Sequence, residues 1–168
     1  MIRVRNLACT YIFNSNKILM MKRSPNKSFL PNLWAPVGGN LKPSEINDPR
    51  SACLREIEEE TGIKITEIHD LALKYITIRR KDDEIRIQYI YFCTTTVTDI
   101  KECDEGKLHW IDKADILDLN MSLTNTNALE HYFKIGKTRG DVFVGVVDVT
   151  SGYPVIEWKI LESFNTFN

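Results

Sequence analysis

Arg55-Glu56-Ile57-Glu58-Glu59-Glu60-Thr61-Gly62-Ile63, preceded by Gly38-Gly39 and by Glu45, is the stretch from which the rest of this 168-residue chain is read. Asp48 is a good N-cap, Pro49 suits the first helical position, and Gly62 stands where a glycine C-cap ends a helix. At about 100° per residue, Glu56, Glu59 and Glu60 fall within roughly one quadrant of the helix surface. Cys53, Leu54 and Ile57 lie beside them and can seat the helix on a core. Like charges at this spacing repel, so the stripe costs stability until a cation neutralises it. A divalent cation that favours hard oxygen ligands, Mg²⁺ or Mn²⁺, turns that repulsion into coordination. A solvated acidic face is the other reading of the same composition.

Taken together, Gly39-x5-Glu45 and Arg55-Glu56-Ile57-x-Glu59-Glu60-x-Gly62-Ile63 resemble the signature of the Nudix hydrolase family, Gly-x5-Glu-x7-Arg-Glu-U-x-Glu-Glu-x-Gly-U, where U is aliphatic. Gly39, Glu45, Arg55, Glu56, Glu59, Glu60 and Gly62 fill its fixed positions. One departure is the spacing, since nine residues rather than seven separate Glu45 from Arg55. Family members often carry a proline six positions before the arginine, and Pro49 stands six before Arg55. The extra pair is therefore placed at Ile46-Asn47, ahead of the cap. The helix register survives this placement, and only the reach of Glu45 is put in question.

The resemblance implies an α/β (α+β) architecture, the Nudix fold, with a mixed β-sheet sandwiched between α-helices. It covers a core of about residues 1–136 in a single domain of 1–168, leaving a C-terminal β-hairpin extension of about 137–168. Glu56, Glu59 and Glu60, helped by the Gly38 carbonyl, would ligate Mg²⁺, and Arg55 would orient a glutamate through a bidentate pair. Gly38 and Gly39 would let the backbone approach metal and phosphate closely, although alone they mark only a tight turn. Asp99, Glu102, Asp104 and Glu105 form a second acidic cluster before Trp110. The segment Asp104–Trp110 resembles the one that supplies a further metal-binding or base carboxylate in MutT-like oxidised-nucleotide diphosphatases, with Glu105 at the matching position; a solvated loop is the alternative. Glu59 and Glu105 are the leading candidates for the general base.

For the substrate, Trp34-Ala35-Pro36-Val37-Gly38-Gly39 is similar to the strand whose tryptophan lies near the base in MutT-like members. Ala35 replaces the polar amide that reads a purine edge in some of them. Asn125 and Asn127 fall where relatives place a base-reading side chain, with capping by Asn125 and a surface position for Asn127 as the plainer readings. Trp34 is equally readable as a core residue. Lys22 and Arg23 close the second strand near the expected phosphate path, where exposed basic residues are also common. Hydrolysing a phosphoanhydride requires cations to shield the polyanion and a carboxylate to handle the attacking water, and one acidic helix can supply both. The first expectation is Mg²⁺-dependent hydrolysis of a nucleoside triphosphate, with an oxidised purine such as 8-oxo-dGTP as the example, to monophosphate and pyrophosphate in nucleotide-pool cleaning. A second is hydrolysis of a linked diphosphate such as ADP-ribose or a nucleotide sugar. A third, of another class, is a non-catalytic ligand sensor, but such proteins commonly carry a fused DNA-binding domain or a decayed acidic helix, and this chain shows neither.

The composition fits one small globular enzyme, with 43% hydrophobic residues and a net charge of −1, which gives no basic surplus for general nucleic-acid binding. No apolar run approaches a membrane span and the N-terminus lacks a signal-peptide plan, so a cytoplasmic location is expected. Cys9, Cys53, Cys93 and Cys103 lack CxxC spacing and read as small core residues. Arg3–Phe13 and Lys17–Lys22 read as a hairpin across Asn14-Ser15-Asn16, followed by a loop over Ser24–Leu33. Strands are expected at Leu71–Arg79, Glu84–Val97 and Leu108–Ile111, and a second helix at Asn125–Phe133. A last hairpin is expected over Asp141–Ile160, as an added sheet edge or a homodimer contact.

Overall fold

The computed structural model describes residues 1–25, 31–101 and 103–163. Strands β1 (Arg3–Asn14) and β2 (Lys17–Arg23) form the first hairpin, closed by Ser15-Asn16 with Ser15 at φ 51° and Asn14 opposite Lys17. Short β3 (Trp34–Ala35) pairs with β2, and β4 (Val37–Asn40) pairs with β1 from Leu7 to Thr10. Pro36, which has no N–H to give a ladder, separates the two. Helix α1 (Pro49–Thr61) starts at Asp48, whose carboxylate accepts the Ser51 amide at 3.2 Å, and stops at Gly62, left-handed at φ 76°. A long hairpin of β5 (His69–Lys81) and β6 (Glu84–Thr94) turns at Asp82-Asp83. Then follow β7 (Gly106–Asp112), helix α2 (Leu123–Lys134) and the hairpin of β8 (Phe143–Asp148) with β9 (Val155–Ile160).

Among the described residues, nine strands form one sheet in the order β3-β2-β1-β6-β5-β8-β9, with β4 beside β1 and β7 beside β2. β1 runs parallel to β6 and β5 parallel to β8, while the other pairs are antiparallel, so the sheet is mixed. Both faces are covered, and that is why Ala8–Phe13 reads as an unbroken buried run. On one face Ala52, Cys53 and Ile57 of α1 pack on Ala8, Ile12, Leu19 and Tyr91. On the other, Ala128 and Leu129 of α2 pack on Tyr11, Phe13, Tyr75, Ile90 and Phe92. The architecture is α+β, a sheet held between helices, as the resemblance implies.

Two sequence expectations shift at element ends. β6 stops at Thr94 rather than Val97, because the Thr95 hydroxyl donates to the Glu67 carbonyl at 2.9 Å and accepts the Val97 amide at 3.2 Å, turning the chain away from the sheet. α2 is capped by Ser122, whose hydroxyl accepts the Asn125 amide at 3.4 Å, so Asn125 does not cap it. Asn125 and Asn127 consequently lie inside the helix, not in the loop that opens it. Part of the expected loop over Ser24–Leu33, residues 26–30, lies outside the described residues. The last hairpin adds β8 and β9 to the sheet beside β5.

Candidate active site

The site begins where α1 passes the glycine pair of β4. A Cβ on Gly38, at φ 149°, would lie 2.2 Å from the Ala8 carbonyl oxygen, and one on Gly39 would lie 2.5 Å from Glu56 Oε1. Lacking both, the strand leaves room for the helix carboxylates against its backbone.

Arg55 organises those carboxylates. Its Nε and Nη2 donate to Glu45 Oε1 and Oε2 at 2.7 and 2.9 Å, and its Nη1 donates to Glu56 Oε1 and Glu59 Oε2, both at 2.8 Å. Nη2 also reaches the Asn40 carbonyl at 3.2 Å. Glu45 thus spans the inserted pair. Pro43-Ser44-Glu45 make a 3₁₀ turn, the Asp48 amide donates to the Glu45 carbonyl at 2.8 Å, and Ile46 projects into solvent. Hydrogen bonds from Arg55 hold the Glu45 carboxyl down to about 2.

Three glutamates on one helix face meet three environments. Glu59 is exposed, and Arg55 first, with Lys42 adding from 3.5 Å, holds it below the usual carboxylate range. Glu56 is half-buried, and desolvation raises it against the pull of Arg55. Glu60 is buried, its Oε2 accepts the Gly38 amide at 2.9 Å, and burial pushes it up to about 8, with Glu56 and Glu105 adding to the rise.

In front of these groups lies a cavity of about 550 Å³. Gly38, Gly39, Glu56, Glu59, Glu60, Asp104 and Glu105 line one part of it, together with Arg23. Ser122, Thr124 and Asn125 from the start of α2 line another, and its floor is the sheet, with Cys9, Thr77 and Gln88. Asn125 is buried, and its Oδ1 accepts Gln88 Nε2 at 3.4 Å. Three residues expected at the substrate are not on this wall. Trp34 packs on the core beneath α2, edge-on to His109 at 5.4 Å, with Lys22 Nζ 5.7 Å over its ring. Asn127 turns its amide back to the Leu123 carbonyl at 3.1 Å. Of the second acidic cluster, Asp99 is exposed and off the wall, and Glu102 lies outside the described residues. The cavity also takes in Arg5, Arg79 and Arg86, which the sequence reading passed over. The signal was there, since a turn at Asp82-Asp83 sets Arg79 opposite Arg86.

Among the described residues, no three His, Cys, Asp or Glu side chains stand together as a ready metal cage, because Arg55 and the Gly38 amide hold the helix carboxylates. The donor chemistry nevertheless suits a hard divalent cation. Glu56, Glu59 and Glu60 share a helix face, Glu105 stands on the same cavity, and the absent Gly39 side chain leaves the opening clear. Burial disfavours the charged form of Glu60, with Glu56 and Glu105 adding to the effect, and a cation at this point would offset all three.

The sequence profile of the NUDIX domain matches residues 3–132. The m7GpppN-mRNA hydrolase NUDT17 of Xenopus laevis is 37% identical over 54 residues, 32% of this chain, which matches only 18% of that protein's length. The Nudix hydrolase YvcI of Bacillus subtilis is 28% identical over 123 residues, 71% of this chain and 73% of that one. In structure, the chain is similar to a MutT protein from Bacillus halodurans, with a TM-score of 0.69 and 17% identity over 93% of this chain and 97% of that one. It is also similar to a C. elegans Ap4A hydrolase, with a TM-score of 0.65 and 16% identity over 77% and 96% of the two chains. With Gly39, Glu56, Glu59 and Glu60 of the signature lining one cavity and the profile match over most of its length, the chain belongs to the Nudix family and is a Nudix hydrolase acting on phosphoanhydride bonds.

Proposed function

We propose that this hydrolase cuts a nucleoside triphosphate to a monophosphate and pyrophosphate, with Mg²⁺ as cofactor and an oxidised purine nucleotide such as 8-oxo-dGTP among its substrates. The observation that carries the reading is the convergence of Glu56, Glu59, Glu60 and Glu105 with Gly38 and Gly39 on one cavity of nucleotide size. Glu56, Glu59, Glu60 and the Gly38 carbonyl would hold the metal, which when bound shields phosphate charge and acidifies water. Arg55 holds Glu56 and Glu59 in place while tied to Glu45. Of the two base candidates, Glu59 is the weaker, because Arg55 keeps its carboxyl low and so poor at taking a proton. Glu105 then takes the proton of the attacking water, whose oxygen bonds to phosphorus as the bridging oxygen leaves with pyrophosphate. The Asn125–Gln88 pair supplies donors and acceptors for the base edge.

The test is a panel in Mg²⁺ of canonical and oxidised nucleoside triphosphates, ADP-ribose and nucleotide sugars, with products identified by mass. Pyrophosphate from a triphosphate is the expected product. A nucleoside monophosphate with a phosphorylated second moiety, and no triphosphate turnover, would replace this reading with the linked diphosphates. Tight binding without turnover would return the sensor.

A further inference from the structure

On one rung of the sheet three arginines stand side by side. Arg5 of β1 faces Arg86 of β6, Arg86 faces Arg79 of β5, and all three line the cavity that holds the helix glutamates. Like charges directly opposite across strands destabilise a sheet, so this row costs stability. Glu84 offsets part of it, through an ion pair with Arg5 at 3.1 Å and a hydrogen bond from Arg86. Arg79 receives neither. Among the described residues no hydrogen bond or ion pair reaches its guanidinium, although it is half-buried. Burial and the neighbouring Arg86 both disfavour its charge, with a smaller opposing pull from Glu84.

The position of the row matters as much as its charge. Gly38 lies opposite Cys9, four residues along β1 from Arg5, which at about 3.3 Å per residue is roughly 13 Å. That exceeds the width of one phosphate, so an anion at the row is a different group from the one beside the helix glutamates. Arginine forks match phosphoryl oxygens in bidentate geometry, and the cationic surplus of the rung suits a dianion better than a carboxylate. Resting on the pyrophosphohydrolase reading, we infer that Arg5, Arg79 and Arg86 form a second anion subsite, and that the substrate class is a nucleotide with a further phosphoryl group on its sugar, remote from the bond cut.

The test uses ligands with no bond to hydrolyse, or one placed to report on the chain. Binding of adenosine 5′-monophosphate, the 3′,5′- and 2′,5′-bisphosphates and ADP, with the guanosine series beside them, is measured by calorimetry in Mg²⁺. At least one sugar bisphosphate is expected to bind about tenfold or more tighter than the monophosphate. Arg79→Gln is expected to bring that ratio near one, with a melting temperature equal to or above wild type because a repulsion is removed. Equal affinity for mono- and bisphosphates in the wild type overturns the subsite, as does a preference that survives Arg79→Gln. A gain for ADP equal to that for the bisphosphates also overturns it, since the row would then read the phosphate chain. A bisphosphate preference in a protein that cuts no triphosphate leaves the subsite standing and removes the reaction; triphosphate cleavage without the preference does the reverse.

Discussion

Glu60 shows how one side chain can link pH, metal and stability. Its folded value of about 8 lies above the ordinary 4.5, so the folded protein binds a proton there that the unfolded chain releases. Stability from this group is therefore complete below about 4.5 and is lost as pH rises through about 8. In EDTA, the melting temperature should fall across that window, and Glu60→Gln should flatten the fall and exceed wild type by a few degrees, roughly, at the alkaline end. Adding Mg²⁺ should raise the wild-type melting temperature more at pH 8 than at pH 5, because ligation favours the ionised carboxylate. A pH-independent difference between the two proteins would contradict this account of Glu60. At this scale the sequence was partly legible. Which residues share a helix face follows from helical spacing, so the glutamate stripe could be read directly. Burial depth does not follow from spacing, so the separation of Glu60 from Glu59 could not be read. The same limit applies to Trp34 and Asn127, whose side chains turn toward the core and a backbone carbonyl instead of the cavity.

Helix α1 was legible in full because its ends are written in local chemistry: Asp48 capping, Pro49 first, Gly62 left-handed. The start of α2 was not, because Ser122 and Asn125 are both capping residue types and only the fold decides which hydroxyl or amide faces the free N–H groups. The Ile46-Asn47 insertion belongs to this scale. Ile46 is exposed, while the Glu45–Arg55 bidentate pair brackets the insertion and uses neither of its side chains. Deleting both residues should leave Mg²⁺-dependent turnover within a few-fold of wild type in a steady-state assay. Loss of metal-dependent activity would show that the loop length itself sets the reach of Glu45.

For the molecule as a whole, β8 and β9 continue the sheet beyond β5, and Trp158 fixes them there. Its ring crosses Tyr75 at 4.8 Å and His131 at 5.7 Å, and a Cβ on Gly145, its strand partner, would lie 2.8 Å from that ring. Trp158→Ala should cost roughly 2 kcal/mol of unfolding free energy by denaturant titration, with the active-site cavity unaffected. Turnover falling in parallel with stability would tie the hairpin to the site. The hairpin's place beside β5 was hidden in the sequence because strand order depends on long-range pairing, whereas the two strands and their turn are local. The same topology sets the acidic helix at one part of the cavity and the arginine row at another, and the central claim is that the acidic part performs metal-dependent hydrolysis. The most direct measurement is pyrophosphate release from a nucleoside triphosphate by wild type and Glu59→Gln, each in Mg²⁺ and in EDTA. The account predicts release by wild type in Mg²⁺ alone and a fall of roughly a thousandfold or more in the variant, with its melting temperature kept. Equal rates for the two proteins, or a rate indifferent to EDTA, would contradict it.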